Sequence, residues 1–397
     1  MGNNFTYTLT SSLILLILFN SIFTLIPFFN DLGIQYLDEV LLLYTLVIIL
    51  FRKKKNKLET IVLFALLYFI LISIIQNSSS VLNIIFQSVI HLKFILFTIY
   101  IDKKFSSNNL KKLLKFIFLI TFIGILINLV LQDTFNQLFD AIVHYRSGFS
   151  RIVGFQLSPN NLGFTIIMFF IFIIHKVRYV RLLLIYTIST IGLLFLTGSR
   201  TSILSVLIIF GLWFTLQGRV EKLKYIALIV IITPILGYFL VDLELYNITL
   251  ANLEHANDAD ESGNIRLIMM YYAIKILFMY FPFGSGSATF GTVTSSGSYV
   301  YDVFGLSSMR FFKETSGIYD SNWASVIGEF GFVGLVIFCV IFYRLYKYTN
   351  MNRKNLYKLP VLSVVLVFLI SGITMPVMMN GYTSMLFALL LVYFKKK

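Results

Sequence analysis

Five residues have the types and spacing to do chemistry together: Arg151, Arg200 and Arg266, then Asp320 and Glu329. All but Glu329 lie at the edge of a long apolar run, beside small polar residues. Ser158-Pro159-Asn160-Asn161, Ser199-Arg200-Thr201-Ser202 and Asp320-Ser321-Asn322 each open such a run. Ser, Asn and Pro at that position start and cap a helix. The free N–H groups and positive dipole end of a helix N-terminus favour an anion. Arginine adds a permanent charge in a planar fork that matches phosphate oxygens. A nearby carboxylate then supplies a proton acceptor. Any one cluster alone also fits an ordinary capped helix; three on one face favour a ligand.

The elements that must hold these residues are membrane helices. The chain is 58% hydrophobic and 13% charged over 397 residues, with 41 Phe and 23 Tyr and a mean hydropathy of +0.86. A soluble protein of that length has no core large enough to hide so much apolar surface. The fold class expected is an all-α polytopic membrane protein with about 12 transmembrane helices. They fall near 12–29, 34–51, 58–76, 81–101, 113–131, 160–175, 182–197, 202–217, 225–241, 322–343, 359–376 and 378–394. Met1–Ser12 has no basic region of the kind that begins a cleavable signal. The match of Gly2 and Thr6 to a myristoylation pattern reads as accidental.

Charge orients the chain. Alternate loops, from Arg52-Lys53-Lys54-Lys55 to Lys395-Lys396-Lys397, hold 24 of the 32 basic residues and three of the 18 acids. Basic loops stay in the cytoplasm, so both termini are expected inside. The net charge of +14 then reflects topology and not nucleic-acid binding. The organisation expected is 1–131 (five helices), 132–241 (helices six to nine with the arginine motifs), 242–321 (a large extracytoplasmic loop or lid) and 322–397 (three helices). Within the lid, a helix from Asn264 to Phe281 is expected to be interfacial or re-entrant. The Gly/Ser stretch from Gly284 to Ser298 is expected to be mobile. The single Cys339 has no partner.

In order and spacing the motifs resemble the O-antigen ligase and polymerase (Wzy-type) superfamily of bacterial envelope enzymes. They are Arg151-x-x-Gly154 with Pro159-Asn160-Asn161-Leu162-Gly163, Thr197-Gly198-Ser199-Arg200-Thr201, Arg266 before Pro282-x-Gly284-x-Gly286, and Glu329-x-Gly331-x-x-Gly334. The resemblance spans roughly residues 110–345. It implies a GT-C-type glycosyltransferase of the bacterial inner membrane. Its substrate would be an oligosaccharide on polyprenyl pyrophosphate, its partners a flippase and a chain-length regulator, and it would need no cofactor or metal. It also implies that the outer-face arginines bind the pyrophosphate; the roles expected are Arg200 and Arg266 as clamps, Arg151 as a third cation, and Asp320 as catalytic base or orienter. Arg151, Asn160, Asn161, Ser199, Gly284, Gly286 and Glu329 would bind substrate. Ligases of this family carry a histidine nine residues before the Glu; here that position is Asp320, which favours polymerase over ligase.

Other features compete. Asp258-x-Asp260 looks like a metal-binding pair and His255 stands beside it, but an acidic exposed loop is usually solvated charge. His91 and Lys93 sit inside the fourth span, either paired or, for Lys93, snorkelling to the cytoplasmic face. Glu329 serves either as a second acid or as a packing acceptor. Tyr299 and Tyr301 have the rings to stack on sugars. A flippase for the same lipid-linked glycans is the rival class, although no internal repeat supports it.

Arg200 gives a direct check. Arg200→Ala is expected to abolish long-chain glycan, read on a polysaccharide gel, while the protein still inserts. Arg200→Lys is expected to restore it in part, because an ammonium keeps the charge and loses the fork. Normal chain lengths in the alanine variant contradict the clamp.

Overall fold

The computed structural model describes residues 2–76, 79–143, 145–146, 149–177, 179–216, 265–313, 318–350 and 358–397. It is helical apart from one short antiparallel ladder, Tyr145 opposite Ser150 and Arg146 opposite Phe149. Among the described residues four helices are long and apolar enough to cross a membrane: Ile34–Phe51, Lys57–Ile75, Ser107–Val130 and Asn322–Thr349. Val81–His91 and Lys93–Lys104 make a fifth if taken as one span bent by 59°. Shorter apolar helices, among them Pro159–Ile174, Arg181–Thr197 and Leu359–Ser371, pack between them.

The span expected at 12–29 is not one helix. The first helix runs Gly2–Leu18, and Pro27, which cannot continue a preceding helix, starts a separate turn, Pro27–Asp31. The span expected at 225–241 lies outside the described residues. The last helix, Gly381–Lys396, is the central pillar, with every side chain from Tyr382 to Phe394 buried. It packs against the Lys93–Lys104, Gly2–Leu18, Pro159–Ile174 and Lys358–Ser371 helices.

Polar contacts sort to two ends of the bundle. At one, Glu59 pairs with Arg52 at 2.8 Å and Lys103 at 2.7 Å. There Asp102 takes Lys395 at 2.7 Å, Lys396 donates to the Phe105 carbonyl, and Tyr7 reaches the Asn109 carbonyl. Tyr7 of the first helix and Lys395 and Lys396 of the last therefore lie at this end. At the other, Ile152 N–H donates to the Leu196 carbonyl, Asn322 N–H to the Gly372 carbonyl, and Thr201 bonds to Thr374.

Between these ends a second helix is broken besides the one bent at Leu92. Gly331 interrupts the Asn322–Asn350 helix with φ 61° and ψ −155°. The break releases the carbonyls of Gly328 and Glu329, and a second segment satisfies them: Ser285 N–H donates to Gly328 O at 3.0 Å and Gly286 N–H to Glu329 O at 2.8 Å. In return Val333 N–H donates to Pro282 O at 3.2 Å. Gly284 and Gly331 meet backbone to backbone. A Cβ at Gly284 would stand 2.5 Å from Gly331 N, and one at Gly331 equally close to Gly284 N. Both have positive φ, so glycine is required twice over. The clasp lies seven to nine residues past Asn322, roughly 10–14 Å along the helix.

From the clasp the Ile265–Met279 helix runs back beside the Asn322–Asn350 helix and returns Arg266 to Asp320. The two helices run parallel, each from its N-terminal end towards the clasp. The Gly/Ser stretch expected to be mobile is instead packed. Ser285, Ser287, Thr289, Thr292 and Ser295 are fully buried. Ser287 N–H donates to Ser73 Oγ at 2.6 Å and its hydroxyl meets Ser88 Oγ at 3.3 Å. Small side chains here serve close packing and backbone satisfaction, which composition alone does not distinguish from a free loop.

Gly331→Ala is expected to cost on the order of 3 kcal/mol or more, from backbone strain and a clash that no side chain can relieve. The check is the thermal midpoint in detergent, with Gly192→Ala as control, since nothing lies within 4 Å of a Cβ there. Equal midpoints for the two variants contradict the clasp.

Candidate active site

Arg151 is fixed before any ligand arrives. The Val180–Thr197 helix ends in a left-handed Gly198, which leaves its last carbonyls open. Arg151 Nε donates to Thr197 O at 2.7 Å, and its Nη2 donates to Asn160 Oδ1 at 3.2 Å. The side chain lies flat on Gly198, where a Cβ would stand 3.1 Å from Nε. A cation at a helix C-terminus is favourable, so this arginine is anchored by carbonyls and not by helix N-termini. The strap that carries it ties three helices. Ile152 N–H binds Leu196 O, Val153 and Gly154 N–H bind Asn128 Oδ1 at 2.9 and 3.2 Å, and Asn160 opens the third helix.

Below the strap, the Ser107–Val130, Pro159–Ile174 and Val180–Thr197 helices leave an apolar trench of about 260 Å³. Phe118, Ile125, Phe169 and Leu193 line it, with Thr121 and Thr190. The trench opens at membrane depth, one turn beneath Asn128 and Thr197.

Arg266 and Asp320 form the second half. Arg266 Nη2 donates to Asp320 Oδ2 at 3.1 Å, and the side chains are 39% and 34% exposed, so both are reachable. Arg266 Nε is buried and has no hydrogen-bond partner among the described residues. It is a donor in want of an acceptor. The two halves feel each other. Burial, and then the charge of Arg266, hold the Arg151 guanidinium below its ordinary value. Burial pushes the Asp320 carboxyl above the usual aspartate value, with Arg266 opposing.

The other expected site residues divide. Arg200 is half-buried as the first residue of the Arg200–Leu216 helix, two positions past Gly198. Asn161 sits in the first turn of its helix, its N–H capped by Ser158. Ser199 is buried, its hydroxyl on Ser202 at 2.7 Å and its face against Gly163. Gly284, Gly286 and Glu329 belong to the clasp. Glu329 is fully buried and bonds to His91 Nε2 at 2.8 Å. It also accepts from Thr289 N–H, Phe290 N–H and the Thr292 hydroxyl. Its acceptor sites are thus engaged by protein, so its place is in packing rather than on a substrate.

Lys93 does not snorkel: it is 2% exposed and held by Asp38 at 2.7 Å and Glu39 at 3.0 Å. Tyr301 is buried, its hydroxyl on Ser295 and Gly291 N–H. Tyr299 reaches the Ser285 carbonyl. Asp258, Asp260 and His255 lie outside the described residues. Among the described residues no cluster of three His, Cys, Asp or Glu is placed to hold a metal ion.

Sequence reasoning passed over the turn from Gly372 to Asn380. Gly372 O accepts from Asn322 N–H, Thr374 bonds to Thr201, and Met378 N–H donates to Asn322 Oδ1. This turn links two of the three polar clusters. Its signal was Gly372, Pro376 and Asn380-Gly381 in an otherwise apolar stretch.

Fold and site together define a multi-pass helical membrane protein with Arg151 anchored at the end of an apolar trench and an Arg266–Asp320 pair within its electrostatic reach. Residues 185–339 match the family model described as O-antigen ligase. Members are membrane glycosyltransferase-like enzymes, ligases or polymerases. The match covers Arg200, Arg266, Asp320 and the whole clasp. No curated protein matches the chain.

Proposed function

We propose that the protein polymerises oligosaccharide repeat units linked to polyprenyl pyrophosphate, on the outer face of the bacterial cytoplasmic membrane, into a surface polysaccharide. The Arg266–Asp320 contact carries this reading: a phosphate-binding cation and a proton acceptor side by side, with Arg151 in electrostatic reach. The trench beneath Arg151 suits the hydrocarbon tail of such a donor.

In the transfer, the acceptor sugar hydroxyl attacks the anomeric carbon and gives its proton to Asp320. The bond from that carbon to the pyrophosphate breaks, and the electron pair leaves with the pyrophosphate. Arg151, Arg200 and Arg266 take up the developing charge. The incoming pyrophosphate competes with Asp320 for Arg266. Asp320, relieved of its cation, becomes a stronger base. No nucleotide is needed, because the donor carries its own leaving group.

On this reading the basic end of the bundle is cytoplasmic with both termini. There are about 12 spans in a GT-C-type arrangement, and 242–321 lies outside. A flippase delivers the donor and a chain-length regulator acts beside the enzyme. The ligase reading is favoured by the description of the matched family. The polymerase reading is favoured by Asp320, where ligases of the family carry histidine.

Purified protein in lipid, given only lipid-linked repeat units, is expected to build a ladder. Asp320→Asn is expected to bind donor normally and lose about 100-fold or more in turnover. The base must be deprotonated, and its carboxyl lies above the ordinary aspartate value. The wild-type rate therefore falls on acidification at a higher pH than an ordinary aspartate would give. Wild-type turnover in Asp320→Asn contradicts the assignment, and transfer only to a separate acceptor identifies a ligase.

A further inference from the structure

Glu329 lies seven residues into its helix, fully buried, yet it is tied to three other parts of the chain. One carboxylate oxygen accepts from Thr289 N–H at 3.0 Å, Phe290 N–H at 3.3 Å and the Thr292 hydroxyl at 3.1 Å. The other meets His91 Nε2 at 2.8 Å, from the Val81–His91 helix. Three donors and the His91 ring nitrogen thus engage both carboxyl oxygens. Immediately beside Glu329 runs the backbone clasp of 282–286 with 328–333.

Two arms leave this knot side by side in the same direction. One is the Ile265–Met279 helix, which ends at Arg266; the other is the start of the Asn322–Asn350 helix, which leads back to Asp320. Their far ends meet at 3.1 Å. A slip of one residue at the knot moves one arm by roughly 1.5 Å and turns it by about 100°. That is enough to part the contact.

We infer that Glu329, with His91, is a positioning residue: it locks residues 289–292 to the broken helix and so sets the register that brings Arg266 to Asp320. The claim rests on the reading of Asp320 as base only for its effect on activity; the register itself is independent of it. Arg266 is the charged group that faces Asp320 from the neighbouring arm.

The test uses the full-length protein in lipid nanodiscs, with nitroxides at Leu267 and Tyr319, both partly exposed, and turnover of lipid-linked repeat units against pH. Glu329→Gln keeps a carbonyl acceptor for the loop and an amide that donates to the other tautomer of His91. Its label distance and pH profile are expected to match wild type, with turnover within about threefold. Glu329→Ala is expected to lengthen and broaden the label distance. Turnover falls about 100-fold, as for a displaced catalytic group, and the acidic limb moves to higher pH as Asp320 loses its cation. A merely structural loss lowers the amount of active protein and leaves that limb in place.

An unchanged label distance in Glu329→Ala overturns the proposal. So does a Glu329→Gln variant as inactive as Asp320→Asn, which would make the acid itself the base. If Asp320→Asn turns over normally while the label distance still responds to Glu329→Ala, the base assignment fails and the register claim stands.

Discussion

A backbone that leaves the helix at membrane depth must find a partner for every N–H and C=O, because hydrocarbon offers none. Gly331 sets that condition. Once the helix breaks there, two carbonyls need donors, and the segment from Pro282 to Gly286 supplies them. The re-entrant arm, the burial of the Gly/Ser stretch and the meeting of Arg266 with Asp320 all follow from that satisfaction. Glu329 extends it with a side chain, taking two more backbone N–H groups in the next turn of the loop.

The charges at the other end of the arms obey a different economy. Arg151 and Arg266 lie within electrostatic reach of each other and so repel. The fold manages this in two ways. Arg151 is spread over a helix C-terminus and an amide, and Arg266 is paired once with an acid that a ligand can displace. One cation is therefore fixed and one exchangeable. The fixed charge depresses nothing it needs to release, while the exchangeable one couples anion arrival to the strength of the base. Lys93, by contrast, is locked between two carboxylates and is structural.

Much of this was legible in the sequence, and the gaps have physical causes. The apolar runs predicted the helices. Arg266 and Asp320 were singled out separately, and the structure brings them together. Pro282-x-Gly284-x-Gly286 and Glu329-x-Gly331 were visible as two motifs, yet they are one device. Backbone-to-backbone contact between glycines leaves no covarying side chain or periodicity to read in one chain. Glycine and serine in a row look the same whether they are packed or solvated. Glu329 was left open between acid and packing acceptor, since its donors come from 40 residues upstream and from His91. The turn after Gly372 escaped because its work is done by carbonyls, which sequence does not mark.

The central claim is that the arm between Arg266 and Asp320 enters from, and returns to, the face opposite the basic loops. In a Cys339→Ser background, a membrane-impermeant maleimide applied to intact spheroplasts tests it most directly. Val303→Cys, on the exposed side of the returning segment, is expected to label at once, and Lys55→Cys, in a basic loop, only after lysis. Labelling of Lys55→Cys in intact spheroplasts, with Val303→Cys protected until lysis, would contradict the account.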